Sequence, residues 1–220
     1  MKNLNQQILN FEHEQNFKDQ DFYVSKSNEY SFKLLKSWPK WEKNFVNIIG
    51  ENFSGKSHLV NIFIQNYKGI KVSADKINNN FLKEIKIYEN VIVEDLTDNI
   101  NENLLFTLIN TIEQDNKYLI ITSTKPILKY KFSLNDLNSR ASNFLLSTIE
   151  KPEDDLMYAL ILKNLSDRQI SINKKLIDFI IKRISRSYGK ISDFIYKIDK
   201  ISLKRKKPID FKIIKEALGE

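Results

Sequence analysis

The clearest chemical signal in the chain is the run Gly50-Glu51-Asn52-Phe53-Ser54-Gly55-Lys56-Ser57. It satisfies the spacing G-x-x-x-x-G-K-[ST], in which a glycine-rich turn wraps its backbone N–H groups around phosphate oxygens. The lysine ammonium then reaches the outer phosphates, and the hydroxyl of the last residue takes a Mg²⁺ ion. The run Phe45-Val46-Asn47-Ile48-Ile49 ahead of it is apolar, as a strand feeding such a turn should be, and a helix is expected to begin near Lys56. Only five glycines occur in the chain, and two of them fall at this spacing. A metal held there needs an acid at the end of a neighbouring buried strand, and Val91-Ile92-Val93-Glu94-Asp95 supplies a pair. Two adjacent carboxylates after three β-branched apolar residues are costly to keep near a core without a cation. A further apolar run, Tyr118 to Ile121, ends in Thr122-Ser123-Thr124, where a hydroxyl could orient water or the terminal phosphate.

These residues need a scaffold. The apolar runs 45–49, 91–93, 118–121 and 144–146 are continuous rather than alternating, the pattern of strands buried on both faces of a parallel sheet. Ile70-Lys71-Val72 reads as another strand. Helices are predicted from Asn28 to Trp38, stopped by Pro39, from Gly55 to Tyr67, from a cap at Asp75, and from Asn101 to Gln114. The alternation predicts an α/β domain over residues 20–150, with helices on both faces of the sheet. After Ile149 the pattern turns wholly helical. Pro152 and the acids Glu153-Asp154-Asp155 suit a first helical turn, and apolar stripes follow on Leu156–Leu165, Leu176–Ile184, Ile191–Ile201 and Phe211–Leu218. A helical subdomain is expected at 151–220, leaving residues 1–19 as a separate N-terminal segment.

Composition narrows the chemistry. The chain has 220 residues, 41% hydrophobic and 29% charged, which is globular in character. It has no cysteine and only two histidines, His13 and His58, so thiol catalysis, disulfide scaffolds and multi-histidine metal sites are excluded. No apolar run approaches the roughly 20 residues of a membrane span, and the N-terminus lacks the apolar core of an export signal, so a cytoplasmic protein with no membrane partner is expected. The net charge of +7 is spread along the chain, and its one tight basic run, Lys204-Arg205-Lys206-Lys207 before Pro208, reads as a solvated loop.

Taken together, the phosphate-binding turn, the acidic strand end, the polar strand end, the Ser139-Arg140 pair after Leu137 and the helical lid resemble an AAA+ nucleotide-binding module. The segment Asp21-Phe22-Tyr23-Val24-Ser25-Lys26-Ser27-Asn28 resembles the adenine-side segment of the replication initiator DnaA. The sequence stops where the DnaA helix-turn-helix domain would begin, so the chain resembles the Hda family of DnaA-homologous regulators, with DNA reached only through a partner. Gln6-Gln7-Ile8-Leu9-Asn10-Phe11 fits Q-x-x-L-x-F, similar to the peptide by which replication proteins dock on the DNA polymerase III sliding clamp. In it Leu9 and Phe11 would be apolar anchors and the Gln6 amide the polar orienter.

The resemblance implies ADP or ATP with Mg²⁺ as cofactors, and ADP in the working state. Gly50, Asn52, Ser54, Gly55, Lys56, Ser57 and His58 would hold the phosphates, Phe22 and Val24 would line the adenine pocket, and Ser57 and Glu94 would hold the metal. Asp95, Thr124 and Arg140 would be the catalytic group, with Arg140 an arginine finger presented to ATP on DnaA. Two departures stand out: Glu94 occupies a position where DnaA-like proteins usually carry Asp, and the sensor 2 arginine has no counterpart, Gly189 standing near its place with Arg186 or Lys190 as substitutes. The implied function is inactivation of DnaA by stimulating hydrolysis of its ATP at the DNA-loaded clamp, preventing re-initiation, with weak or no intrinsic ATPase. Self-association is admitted. The alternatives are a nucleotide-dependent adaptor or loader that stimulates no hydrolysis, an autonomous P-loop enzyme, and a DNA-binding AAA+ protein.

Overall fold

A computed structural model describes residues 22–220. The predicted clamp-docking motif of Gln6, Leu9 and Phe11 lies outside the described residues.

Fourteen elements follow one another: α1 Glu29–Lys36, β1 Phe45–Ile49, α2 Lys56–Tyr67, β2 Gly69–Ser73, α3 Asn79–Glu84, β3 Asn90–Leu96, α4 Glu102–Gln114, β4 Tyr118–Ser123, α5 Asn135–Ala141, β5 Leu145–Thr148, α6 Asp154–Asp167, α7 Lys174–Ile181, α8 Tyr188–Arg205 and α9 Phe211–Leu218. The strands form one sheet in the order β2-β3-β4-β1-β5, and every pairing is parallel. Successive side chains of a strand point to opposite faces, and here both faces are covered. Phe45, Val91, Val93, Leu119 and Ile121 pack under α3, α4 and α5 with Phe81, Leu105, Leu108 and Leu137. Val46, Ile48, Ile92 and Ile120 pack on the other side against Leu35 of α1 and Leu59, Val60 and Phe63 of α2. Apolar residues are therefore required at consecutive positions, which is why the strands were legible as unbroken runs.

One of the sheet's buried polar residues ties two of its parts together. Asn47 of β1 is fully buried; its amide donates to Ile121 O at 3.0 Å and to Ser123 Oγ at 2.8 Å, and its carbonyl accepts the Ile127 N–H at 2.8 Å. It ties the end of β4 to the turn that follows. An Asn47→Leu chain would leave those partners buried and unmatched, and is expected to be less stable by about 2–3 kcal/mol in urea unfolding.

The lid, α6 to α9, has its own core of Met157, Ile161, Leu165, Ile177, Ile180, Phe194, Ile195, Ile198, Ile213 and Ile214. Leu156 and Tyr188 leave that core and join the layer under α2, so lid and sheet domain share packing. Among the described residues no helix is long and apolar enough to cross a membrane.

Three local expectations are corrected. Asp75 does not cap a helix: it accepts from the Ser73 hydroxyl at 2.5 Å within a short 3₁₀ turn, and Asn78 caps α3 by accepting the N–H groups of Asn80 and Phe81. Pro152 precedes the cap of α6 rather than lying in its first turn. Lys204 and Arg205 are the last turn of α8, not loop, where cations suit the negative helix end; Arg205 also pairs with Glu216 at 2.5 Å.

Candidate nucleotide site

β1 ends at Ile49, and Gly50 follows where no side chain fits. A Cβ there would lie 2.5 Å from Ser54 Oγ and 3.2 Å from Ile149 Cβ. The turn then takes two left-handed residues, Phe53 at φ 68° and Gly55 at φ 94°, before α2 begins. Glycine takes that conformation freely, whereas for Phe53 it costs about 1–2 kcal/mol. The Phe53 side chain is 66% exposed, so packing does not return that cost.

Lys56 opens α2 and is buried. Its Nζ donates to Gly50 O at 2.8 Å and Glu51 O at 3.0 Å. Burial lowers its pKa below the ordinary lysine value, opposed by the charges of Asp95 and Glu51. Ser54 Oγ, also buried, has no hydrogen-bond partner among the described residues. Both lie on a cavity of about 620 Å³, within the range of small-molecule sites.

Of the two predicted acids, Asp95 faces this cavity and Glu94 does not. The β3–β4 register shifts between Val93 and Leu96, and Asp95 takes a left-handed backbone at φ 57°. The buried Thr122 hydroxyl accepts the Asp95 N–H at 2.9 Å and fixes that kink. Glu94 lies on the α2 face of the sheet, where its Oε2 is 3.1 Å from Nζ of Lys71 on the adjacent strand. Glu94, predicted as a metal ligand, is thus paired with Lys71 away from the cavity, and Thr122 rather than Thr124 is the hydroxyl that positions Asp95. Thr124 is exposed and outside the cavity lining.

At the other end, Phe22 lines the cavity. It stacks on Phe32 at 5.7 Å and meets His58 edge-on at 5.2 Å between ring centroids. Val24 is exposed and outside the lining, whereas Tyr23 and Asn28 line the cavity. Asn28 shapes the segment by accepting the Ser25 N–H at 2.9 Å and donating to Tyr23 O at 3.0 Å, so its side chain is used in the loop rather than on α1. Asn52, Gly55, Ser57 and His58 line the cavity, whereas Gly50 is represented there only through its cradle for Ser54.

The lid closes the cavity with Leu156, Ala159, Leu160, Ile191 and the cations Lys163 and Arg168. The sequence pointed instead to Arg186 or Lys190, but Arg186 pairs with Asp154 at 2.8 Å and Lys190 is exposed outside the lining. Arg168 is placed by Asn164 O at 2.8 Å and Asp199 at 3.4 Å. Arg140 stands away from the cavity. It pairs with Glu113, not Asp136, and its guanidinium lies 5.4 Å over the Phe106 ring. Phe106 and Glu113 are two turns apart on the face of α4 that α5 packs against, which gives Arg140 both partners at once.

No family model matches the chain. In sequence it is similar to the chromosomal replication initiator protein DnaA of Helicobacter hepaticus, 25% identical over 197 residues covering 78% of this chain and 42% of that protein. The chain thus spans about half the length of the curated relatives it matches. In structure it is similar to domain III of the Thermotoga maritima replication initiation protein DnaA, with a TM-score of 0.74 at 17% identity, covering 92% of this chain and 95% of that one. In fold the chain is similar to DnaA domain III. AMPPCP-bound DnaA from Aquifex aeolicus is a further neighbour, with a TM-score of 0.67 at 20% identity over 85% of this chain and 67% of that one. The parallel five-stranded sheet and helical C-terminal region of this DnaA-like module are those the sequence predicts.

Proposed function

We propose that the chain binds adenine nucleotide in the cavity between the phosphate-binding turn and the lid, and acts on DnaA as an Hda-type inactivator. The observation that carries the first half is the convergence of Ser57, Asp95 and the buried Lys56 on one cavity whose far end is aromatic. The donors fit the group: among the described residues Ser54 Oγ is buried with no partner, and Lys56 Nζ donates to carbonyl oxygens that phosphate oxygens can replace. Ser57 and Asp95 would hold Mg²⁺. Among the described residues no group of three or more potential ligands stands ready for a metal, which suits an ion that takes much of its shell from phosphate and water. Bound nucleotide supplies the negative charge that joins the turn to Lys163 and Arg168 of the lid.

The regulatory half rests on the likeness to DnaA and on the Q-x-x-L-x-F spacing of Gln6, Leu9 and Phe11. The chain docks on the DNA-loaded sliding clamp through residues 6–11 and presents Arg140 to ATP held by DnaA. Removing both apolar anchors is expected to cost about 1–3 kcal/mol each in clamp binding. Pull-down with the clamp checks this, and unchanged retention of a Leu9→Ala/Phe11→Ala chain would rule the peptide out.

A second reading, an adaptor that recruits a replication protein without stimulating hydrolysis, is favoured by the pairing of Arg140 with Glu113 and of Glu94 with Lys71. DnaA-bound ATP turnover at a loaded clamp separates the two.

A further inference from the structure

The first N–H groups of lid helix α8 are all taken. Glu51, inside the phosphate-binding turn, accepts the N–H of Tyr188 through Oε1, and the same oxygen lies 3.4 Å from the Gly189 nitrogen. The Ser187 hydroxyl accepts the Lys190 N–H at 3.3 Å, and Ser187 O accepts that of Ile191 at 3.0 Å. A helix start is where an anion is most favoured, and here the anion is a side chain of the turn itself. We propose that Glu51 stands in for a terminal phosphate, clasping the lid to the phosphate-binding turn without nucleotide and making the site select against a third phosphate. The proposal rests on the nucleotide reading of the turn.

Three further observations support it. Lys56 Nζ, which should reach the outer phosphates, sits 3.0 Å from the Glu51 carbonyl, and the Glu51 charge is close enough to act on that ammonium. The buried Ser54 hydroxyl on the same turn, unpartnered among the described residues, lines the same cavity as Tyr188, the residue that Glu51 clasps. Tyr188 is independently anchored, its hydroxyl donating to Glu150 O at 3.0 Å and lying 3.3 Å from Ser27 Oγ, so the clasped end of α8 is held in register with the sheet domain. A diphosphate can then bind with the clasp shut. A third phosphate brings like charge toward the carboxylate and finds the α8 donors occupied, so it must displace Glu51.

Calorimetric titration of the 220-residue chain with ADP and with ATP, each with Mg²⁺, tests this on the wild type, Glu51→Gln and Glu51→Ala. Glutamine keeps the acceptor oxygen and removes the charge; alanine removes both. The wild type is expected to bind ADP at least tenfold more tightly than ATP, with both variants moving that ratio at least fivefold toward ATP. Amide exchange at Tyr188 and Gly189 should be slow in the nucleotide-free wild type and faster in Glu51→Ala. A parallel loss of both affinities with the ratio unchanged would overturn the proposal and leave nucleotide binding standing. A wild type that binds neither nucleotide would overturn the nucleotide reading and the proposal with it.

Discussion

An Arg140→Ala chain is expected to lose the stimulated hydrolysis of DnaA-bound ATP by on the order of 10³–10⁵-fold while still binding nucleotide and clamp. The size follows from where a guanidinium acts: aimed at the terminal phosphate, it stabilises charge that develops only in the transition state. The pairing of Arg140 that favours the adaptor reading is a weak one. Glu113 is about half exposed and Arg140 over a quarter exposed, and ion pairs in such settings contribute roughly 0–1 kcal/mol. That is small beside the several kcal/mol of a rate effect this large, so a docked partner can release Arg140 from Glu113. Loss of the pair should change thermal stability little. Arg140→Lys should rescue poorly, because an ammonium lacks the planar fork. Single-turnover hydrolysis of labelled ATP on DnaA, with the clamp loaded, reads the effect. Wild-type stimulation by the alanine chain would show that Arg140 is not the finger.

Lys56→Ala is expected to weaken ADP and ATP binding about 10- to 100-fold, the scale of one charge-assisted hydrogen bond to phosphate. The pH dependence should move in a defined direction. Burial lowers the Lys56 pKa, so in the unliganded protein the ammonium gives up its proton at lower pH than an ordinary lysine does. Nucleotide affinity therefore falls as pH rises through that lowered value, and the alanine chain should show a flatter profile. For the unliganded protein the sign is opposite. The folded state holds this proton less well than the unfolded chain, so the cost of burying the charge is present at low pH. It is relieved as pH climbs from the folded toward the unfolded value. Calorimetry across alkaline pH checks the first statement, and an affinity that falls equally in both proteins would remove Lys56 from the phosphate contact.

The parts of this molecule that the sequence announces are those in which neighbouring residues determine one another. The strands are unbroken apolar runs because both sheet faces are covered, and Gly50 to Ser57 are fixed by the backbone path of a single turn. Asp75 and Asn78 are both plausible caps by type. Only the structure shows Asp75 already engaged by Ser73 and Asn78 free to meet α3. The choice between Glu94 and Asp95 depends on a register shift and a left-handed residue held by Thr122, some 27 positions away. Lys163 and Arg168 reach the cavity because of how α6 lies across it, and a periodicity in their own stretch cannot reveal that. The contact of Glu51 with α8 spans 137 residues and has no local signal at all.

The most direct measurement follows ATP on DnaA over time, with clamp loaded on DNA, in the presence and absence of the nucleotide-bound chain. Turnover is predicted to accelerate when chain and loaded clamp are both present, and to stay at the DnaA basal rate when either is left out. DnaA-bound ATP that decays at the same rate with and without the chain would contradict the inactivator function and leave a nucleotide-dependent adaptor in its place.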